Sequence, residues 1–214
     1  MTRHSASMDN LRARWRNEAR RERGLLRRAV ESARDGDGQR LFATVAETPM
    51  YMWRRTMLWL ARSVARDGPF PDCIHDTALR CWISYGDSMR QEVGDDLVLL
   101  DGLKTLLPPY SGPALRLYRG ELFPNRCRRT YGIAWTSSRE VAESYGLRTI
   151  RRSCDGGTVL LASDVPADAI LCAVPEHEDR YGEVEYLVDR RRLERVEVLA
   201  RYSEIAVQVL AGED

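Results

Sequence analysis

Two glutamates stand one residue apart in a segment that otherwise has the composition of a buried strand. The segment is GEVEYLVD, Gly182 to Asp189, in which Glu183 and Glu185 alternate with Val184 and Tyr186. Because a strand points alternate side chains to opposite faces, both carboxylates share one face, with backbone positions roughly 7 Å apart. Such a pair can touch one sugar-sized substrate, stabilise an oxocarbenium-like transition state and handle a proton. Glutamates are also common on exposed strand faces, so this interpretation needs support from other segments.

An arginine ends a row of apolar positions in the segment ALRLYRG, residues 114–120. Leu115, Leu117 and Arg119 alternate on one face of the expected strand, and a charge at that position needs a partner. Two interpretations follow from the residues alone. The guanidinium forms a structural ion pair, or it is held ready for phosphate or carboxylate oxygens, which suit its planar fork of donors.

Hydroxyl side chains gather in AWTSS, residues 134–138, where a strand is expected to end and a helix to begin. Hydroxyls and the free N–H groups of a helix N-terminus can together hold an anionic ligand. The alternative is that Ser137 only caps the helix, with Glu140 as its capping-box partner and Gly146 as the helix stop.

These segments lie in a β-rich second half that follows a helical first half. Short strands are predicted at 114–120, 131–136, 158–165, 169–174, 184–189, 196–200 and 205–210, with one helix at 137–146. Helices are predicted over 9–34, from Thr48 with Pro49 as first helical residue, and over 72–85, with an apolar helix or strand over 97–112. The sequence therefore predicts an α+β fold.

The chain has 214 residues and a net charge of +1, which implies no strong global attraction to nucleic acid or membrane. Five widely spaced cysteines form neither a CxxC pair nor a zinc-ligand pattern, which indicates reduced thiols. The N-terminus lacks the apolar core of a secretory signal, and no apolar run approaches the roughly 20 residues that span a membrane. We therefore expect a cytoplasmic location, in the producing cell or in a target cell reached without a signal peptide.

The predicted helix 9–34 carries arginines over most of its surface beside one narrow apolar stripe that includes Leu11 and Trp15. This pattern fits a solvated helix. It also fits a contact with nucleic acid or with an acidic partner.

Taken in chain order, LYRG, AWTSSREVAESYG and GEVEYLVD resemble the motifs of the mono-ADP-ribosyltransferase family, in its Arg–Ser–Glu clade. That family, typified by cholera-type and Rho-modifying toxins, carries an arginine on its first core strand and a Ser-Thr-Ser-like motif on the next. Glu-x-Glu or Gln-x-Glu follows on a later strand. The resemblance covers roughly residues 113–200. It implies an ADP-ribosyltransferase-like split β-sandwich, NAD as the donor substrate, no metal, and transfer of ADP-ribose with release of nicotinamide.

The resemblance also assigns roles to residues. Arg119 matches the arginine that holds the phosphate and ribose region of NAD, with Tyr118 and Gly120 beside it. Glu185 matches the catalytic glutamate that hydrogen-bonds the nicotinamide ribose, and Glu183 matches the acid that faces the acceptor. The side chains of Arg119 and Glu185 are therefore expected to converge on one cleft.

The second motif and the loop 175–182 supply the remaining contacts that the resemblance implies. Ala134 stands where the family has its first serine, so Thr136 or Ser137 would provide the hydroxyl. The other implied contacts to the cofactor are Trp135 and Tyr145, and those to the acceptor are Tyr181 and His177.

Three regions are expected: a basic helical extension over 1–45, a helical lobe over 46–110 and a catalytic core over 111–214. In the family, a glutamate at the place of Glu183 accompanies arginine acceptors, so a protein arginine is the favoured acceptor and nucleic acid the alternative. A toxin role would add an antitoxin or inhibitor protein as partner, and no membrane partner is expected. An NAD glycohydrolase, or a weakly catalytic protein that binds nucleic acid or a partner on the same fold, stays open as an alternative.

Overall fold

A computed structural model describes residues 3–150, 156–174 and 184–202. The chain divides into two compact units, Met1–Pro108 and Pro109–Asp214. The first is helical and the second is built on an antiparallel sheet, which confirms the predicted combination of α and β structure with the helices first. No helix in the described ranges is both long and apolar enough to cross a lipid bilayer.

The described part of the first unit holds α1 (Arg3–Asp35), α2 (Gly38–Glu47), α3 (Trp53–Asp67), α4 (His75–Val93) and α5 (Asp96–Leu103). Single 3₁₀ turns at Met50–Met52 and Asp72–Ile74 lead into α3 and α4. The inner side of α1 packs against the rest of the unit through Leu25 and Leu26, which form a buried cluster with Met52. The unit is thus a helical bundle whose apolar stripes face one another.

Helix α2 is a difference from the sequence prediction, which placed no element between the helix 9–34 and the helix start at Thr48. The carboxylate of Asp37 accepts a hydrogen bond from the Arg40 backbone N–H at 2.9 Å, so the break that ends α1 also caps a new helix. Thr48 ends that helix instead of starting one, and Pro49 precedes a 3₁₀ turn. The predicted helix start at Thr48 is therefore wrong, and α3 begins at Trp53.

The second unit is organised around one sheet, which in the described ranges has six strands. They are β1 (Leu115–Leu122), β2 (Ala134–Thr136), β3 (Thr158–Val165), β4 (Ile170–Val174), β5 (Glu185–Val188) and β6 (Glu197–Tyr202). Their order is β4-β5-β2-β1-β3-β6, and every neighbouring pair is antiparallel. Helix α6 (Phe123–Arg128) follows β1, and α7 (Arg139–Ile150) follows β2. The predicted strand at 205–210 lies outside the described residues.

Helix α7 lies against one face of β1, where two glycines let the backbones approach. A Cβ atom on Gly120 would lie 2.4 Å from the Ala142 carbonyl oxygen and 2.4 Å from the Gly146 nitrogen. The prediction that Gly146 stops the helix is wrong, because α7 continues to Ile150. Gly146 serves close packing on the strand here, and not the left-handed turn that commonly follows a helix.

The other face of the sheet forms the apolar core of the unit. Leu117 on β1, Leu161 on β3 and Val188 on β5 are fully buried there, together with Trp135 on β2. One face of the sheet is thus in contact with α7 and the other forms the core. Which face a side chain lies on depends on the position of the residue along its strand, and not on the strand alone.

Candidate active site

Three side chains form a row across the centre of the sheet. Tyr118 on β1 pairs with Thr136 on β2, and Thr136 pairs in turn with Glu185 on β5. Residues directly opposite on antiparallel strands point to the same face, so these three side chains share one. Since neighbouring strands lie about 4.8 Å apart, the row spans about 10 Å. We call Tyr118, Thr136 and Glu185 the central row.

The central row combines a buried hydroxyl with two more accessible groups. Thr136 is 7% exposed, whereas Tyr118 and Glu185 are half-buried and therefore within reach of a ligand. A carboxylate at this position can accept hydrogen bonds from sugar hydroxyls and stabilise a developing positive charge. A tyrosine ring at the far end offers an apolar surface and a polar tip.

The start of α7 is tied to this row. The Thr136 hydroxyl accepts a hydrogen bond from the Ser138 backbone N–H at 3.0 Å. The Ser138 hydroxyl accepts one from the Val141 N–H at 3.2 Å and lies 3.0 Å from the Glu140 carboxylate, to which it donates. The helix cap is thus Ser138 and not Ser137, whose side chain is exposed. Of the two hydroxyls considered from the sequence, only Thr136 lies in the central row.

Arg119 starts from the opposite face of the sheet. It follows Tyr118 directly and pairs with Leu161, a core residue on β3. Its Nε donates to the Glu121 carboxylate at 2.8 Å, and its Nη1 donates to the Ala134 carbonyl. The structure therefore contains the ion pair that the sequence left open. The strand pleat contradicts the expectation that the side chains of Arg119 and Glu185 converge on one face.

Glu121 is the residue of this region that the sequence analysis missed. It is 5% exposed, and its carboxylate also accepts hydrogen bonds from the Gly132 N–H at 2.8 Å and the Asn125 amide at 2.9 Å. Burial opposes ionisation of Glu121, but the charge of Arg119 and these hydrogen bonds outweigh it and hold its pKa at about 2. The available signal was its position two residues after Arg119, on the same strand face.

Two of the expected cofactor contacts are used for packing. Trp135 is 2% exposed in the core, on the face opposite the central row, and its indole N–H donates to the Gly132 carbonyl at 3.1 Å. Gly120 is covered by the α7 backbone. The structure assigns both residues to packing and not to contact with a ligand.

Tyr145 and Cys172 complete the surroundings that bear on ligand binding. Tyr145 on α7 is 41% exposed, and the Arg148 guanidinium lies 4.5 Å from its ring centroid. Burial raises the pKa of the Cys172 thiol to about 11, and the negative charge of Glu185 adds to this shift. Cys172 is therefore a neutral neighbour of Glu185 at physiological pH.

The acceptor side of the predicted site falls on Glu183, Tyr181 and His177, which lie outside the described residues. Their roles stay predictions from the sequence. Within the described ranges, no group of three or more His, Cys, Asp or Glu side chains is placed to hold a metal ion.

Comparison with known proteins adds no relative: no family model matches the chain, and no curated protein or solved structure gives a significant match. A function has to be inferred from the motifs of the chain and from the geometry of the central row.

Proposed function

We propose that this chain is an NAD-dependent mono-ADP-ribosyltransferase that moves ADP-ribose to a macromolecular acceptor. The observation that supports it most is the adjacency of three motif strands that are far apart in sequence. The strands of LYRG, AWTSS and EVEYLVD are neighbours in the order β1-β2-β5. Glu185 lies directly opposite Thr136, at the second-acid position of the Glu-x-Glu motif.

In the proposed reaction, Glu185 accepts a hydrogen bond from a hydroxyl of the nicotinamide ribose. The bond between the ribose anomeric carbon and the nicotinamide nitrogen breaks, and its electron pair leaves with nicotinamide as a neutral molecule. The oxocarbenium ion that remains is stabilised by the Glu185 carboxylate. An acceptor nucleophile then bonds to the anomeric carbon and passes its proton to water.

The other residues near the row have supporting roles in this proposal. Thr136 fixes the start of α7 and lies directly opposite Glu185, where the resemblance implies a hydroxyl that orients the carboxylate. Arg119 acts as a positioning residue, because it joins Glu121 on its own strand to the backbone of Ala134 on β2. Tyr118 provides the surface at the far end of the row.

The direct test is the release of nicotinamide from NAD by the full chain, measured with and without an acceptor mixture. We expect Glu185→Gln to lower the rate about 100-fold or more, as for other groups that stabilise charge in a transition state. The matched control is Glu194→Gln, the same change at an exposed glutamate just before β6. Thermal unfolding should differ little among the three proteins.

The outcomes separate the alternatives. Equal activity of Glu185→Gln and the wild type would remove the catalytic assignment. Release of nicotinamide at the same rate with and without acceptor, and without labelled product, would instead identify an NAD glycohydrolase.

A further inference from the structure

The N-terminal part of α1 extends beyond the contacts of the first unit. Between Leu11 and Arg21 every side chain except that of Ala13 is exposed, and Met8 is 49% exposed. The first buried side chain of α1 in the described residues is that of Leu25. We call residues 8–21 the projecting segment, which is about 20 Å long at 1.5 Å per residue.

Arginines recur along the projecting segment. In the described part of the chain, no ion pair or hydrogen bond engages the guanidinium groups of Arg14, Arg16, Arg20 and Arg21. Arg16 and Arg20 are four residues apart and so lie on one face, about 6 Å apart along the axis. Isolated guanidinium groups on one helix face suit a partner with regularly spaced negative charge.

Trp15 lies between two of these arginines and is 64% exposed, more than the other exposed large apolar side chains of the described residues. It continues a strip formed by Met8 and Leu11 at helical spacing. An exposed indole on the same helix as these arginines can stack on an unpaired base while the guanidinium groups contact phosphates.

The apolar strip formed by Met8, Leu11 and Trp15 has the i, i+3 and i+7 spacing of a helix that docks in a protein groove. The strip covers only two turns, whereas arginines recur along the whole projecting segment and favour an anionic partner. The same face carries Glu18 one turn after Trp15 and Glu22 two turns after Trp15. Glu22 is already engaged by the Tyr51 hydroxyl and by the Arg55 guanidinium at 2.6 Å. Acidic residues at these positions also oppose insertion into an anionic bilayer.

We propose that the projecting segment binds single-stranded nucleic acid, with phosphates on Arg16 and Arg20 and a base stacked on Trp15. The projecting segment belongs to the first unit and the central row to the second, so the nucleic-acid proposal does not depend on the proposed enzyme activity. The net charge of the whole chain, which is only +1, does not indicate this site, because acidic residues elsewhere balance the arginines of the projecting segment.

The test is fluorescence anisotropy of labelled 12-nucleotide RNA and DNA, single-stranded and duplex, titrated with the full chain at several salt concentrations. We expect single strands to bind more tightly than the duplex. The variant Arg16→Ala/Arg20→Ala should lower the slope of log K against log salt by about 1.4, since each lost phosphate contact removes about 0.7. The control is Arg62→Ala/Arg66→Ala, which has the same charge change and the same spacing on exposed positions of α3.

Trp15→Ala tests stacking separately from charge. We expect an affinity about 5-fold or more lower with an unchanged salt slope, and partial rescue by Trp15→Phe, because a base can stack on either ring. Equal losses in the α1 and α3 arginine pairs would overturn the proposal, as would binding to vesicles of phosphatidylserine but to none of the oligonucleotides. Glu185→Gln should bind the oligonucleotides like the wild type, so failure of the enzyme proposal leaves this result unaffected.

Discussion

Thr136 and Glu185 are direct partners across β2 and β5, although 49 positions separate them in the sequence. This pairing brings a buried hydroxyl beside a half-buried carboxylate at the centre of the sheet. The same hydroxyl receives the Ser138 N–H, so one threonine links the strand that carries the glutamate to the start of α7.

Removing the hydroxyl of Thr136 should therefore affect both activity and the helix start. Thr136→Val keeps the shape but leaves the Ser138 N–H without its acceptor, which costs about 1–2 kcal/mol of unfolding free energy. We expect nicotinamide release by this variant to fall through kcat more than through KM. Thr136→Ser keeps a hydroxyl and should retain most of both properties, as measured by steady-state kinetics and urea unfolding. Full activity of Thr136→Val would exclude a role for the hydroxyl in orienting Glu185.

The Arg119–Glu121 ion pair should make stability depend on acid pH. The pKa of Glu121 is depressed from 4.5 to about 2 in the folded chain, so its ionisation stabilises the fold above about pH 4.5 and this contribution is lost as the pH falls towards 2. A depression of this size corresponds to about 3 kcal/mol. Glu121→Gln should therefore unfold more easily at pH 7.

The measurement for Glu121→Gln is the free energy of unfolding in urea between pH 7 and pH 2. The difference from the wild type should shrink below pH 4.5. The exposed Glu194→Gln variant should follow the wild type throughout. A difference that stays constant to pH 2 would show that charge on Glu121 does not contribute.

Gly120 and Gly146 lie on the two sides of the contact between β1 and α7, so alanine substitutions at the two positions can be compared directly. In Gly120→Ala the new methyl group would meet the backbone of Ala142 and Gly146 at 2.4 Å, so α7 has to shift, at a cost of about 3 kcal/mol. In Gly146→Ala the nearest atoms are the Gly120 Cα at 3.5 Å and the Thr158 hydroxyl oxygen at 3.8 Å, which are ordinary contacts. That variant should be as stable as the wild type or slightly more stable, since alanine favours a helix. Thermal unfolding of both proteins checks the asymmetry, and equal melting temperatures would contradict it.

Substitutions of the two glutamates of the Glu-x-Glu motif should have different effects when transfer and hydrolysis are measured in parallel. Glu183→Ala should reduce transfer to an acceptor more than release of nicotinamide to water, because the resemblance places Glu183 on the acceptor side. Glu185→Ala should reduce both. Parallel losses in Glu183→Ala would argue against an acceptor role, and labelled NAD with acceptor protein and RNA distinguishes the products.

The sequence predicted the strands and helices better than it predicted the face of the sheet on which each side chain lies. The run 158–165 has an apolar centre, Val159 to Ala162, and β3 has the same bounds as the predicted strand because local pattern and burial agree there. In contrast, Trp135 was expected at the ligand, and it lies in the core because the register of β2 with β5 points it there. Register depends on contacts between distant segments, which one sequence does not show.

The sequence indicated which charged residues need a partner, but it did not indicate which residues those partners are. Arg119 was recognised as a charge that needs compensation, whereas the network around Glu121 also uses Gly132 and Asn125 from the chain after β1. Helix α2 was missed because its capping residue, Asp37, lies among glycines that otherwise indicate a turn.

The shortest strand of the sheet lies near its centre. β2 contributes only the three residues Ala134–Thr136, whereas β1 and β3 are paired from Leu115 to Leu122. Few backbone hydrogen bonds therefore hold β5 and β4 to the remaining strands, and local opening is easiest where such bonds are few. Amide hydrogens in the β1–β2 and β2–β5 pairings should therefore exchange with solvent faster than those of the β1–β3 ladder.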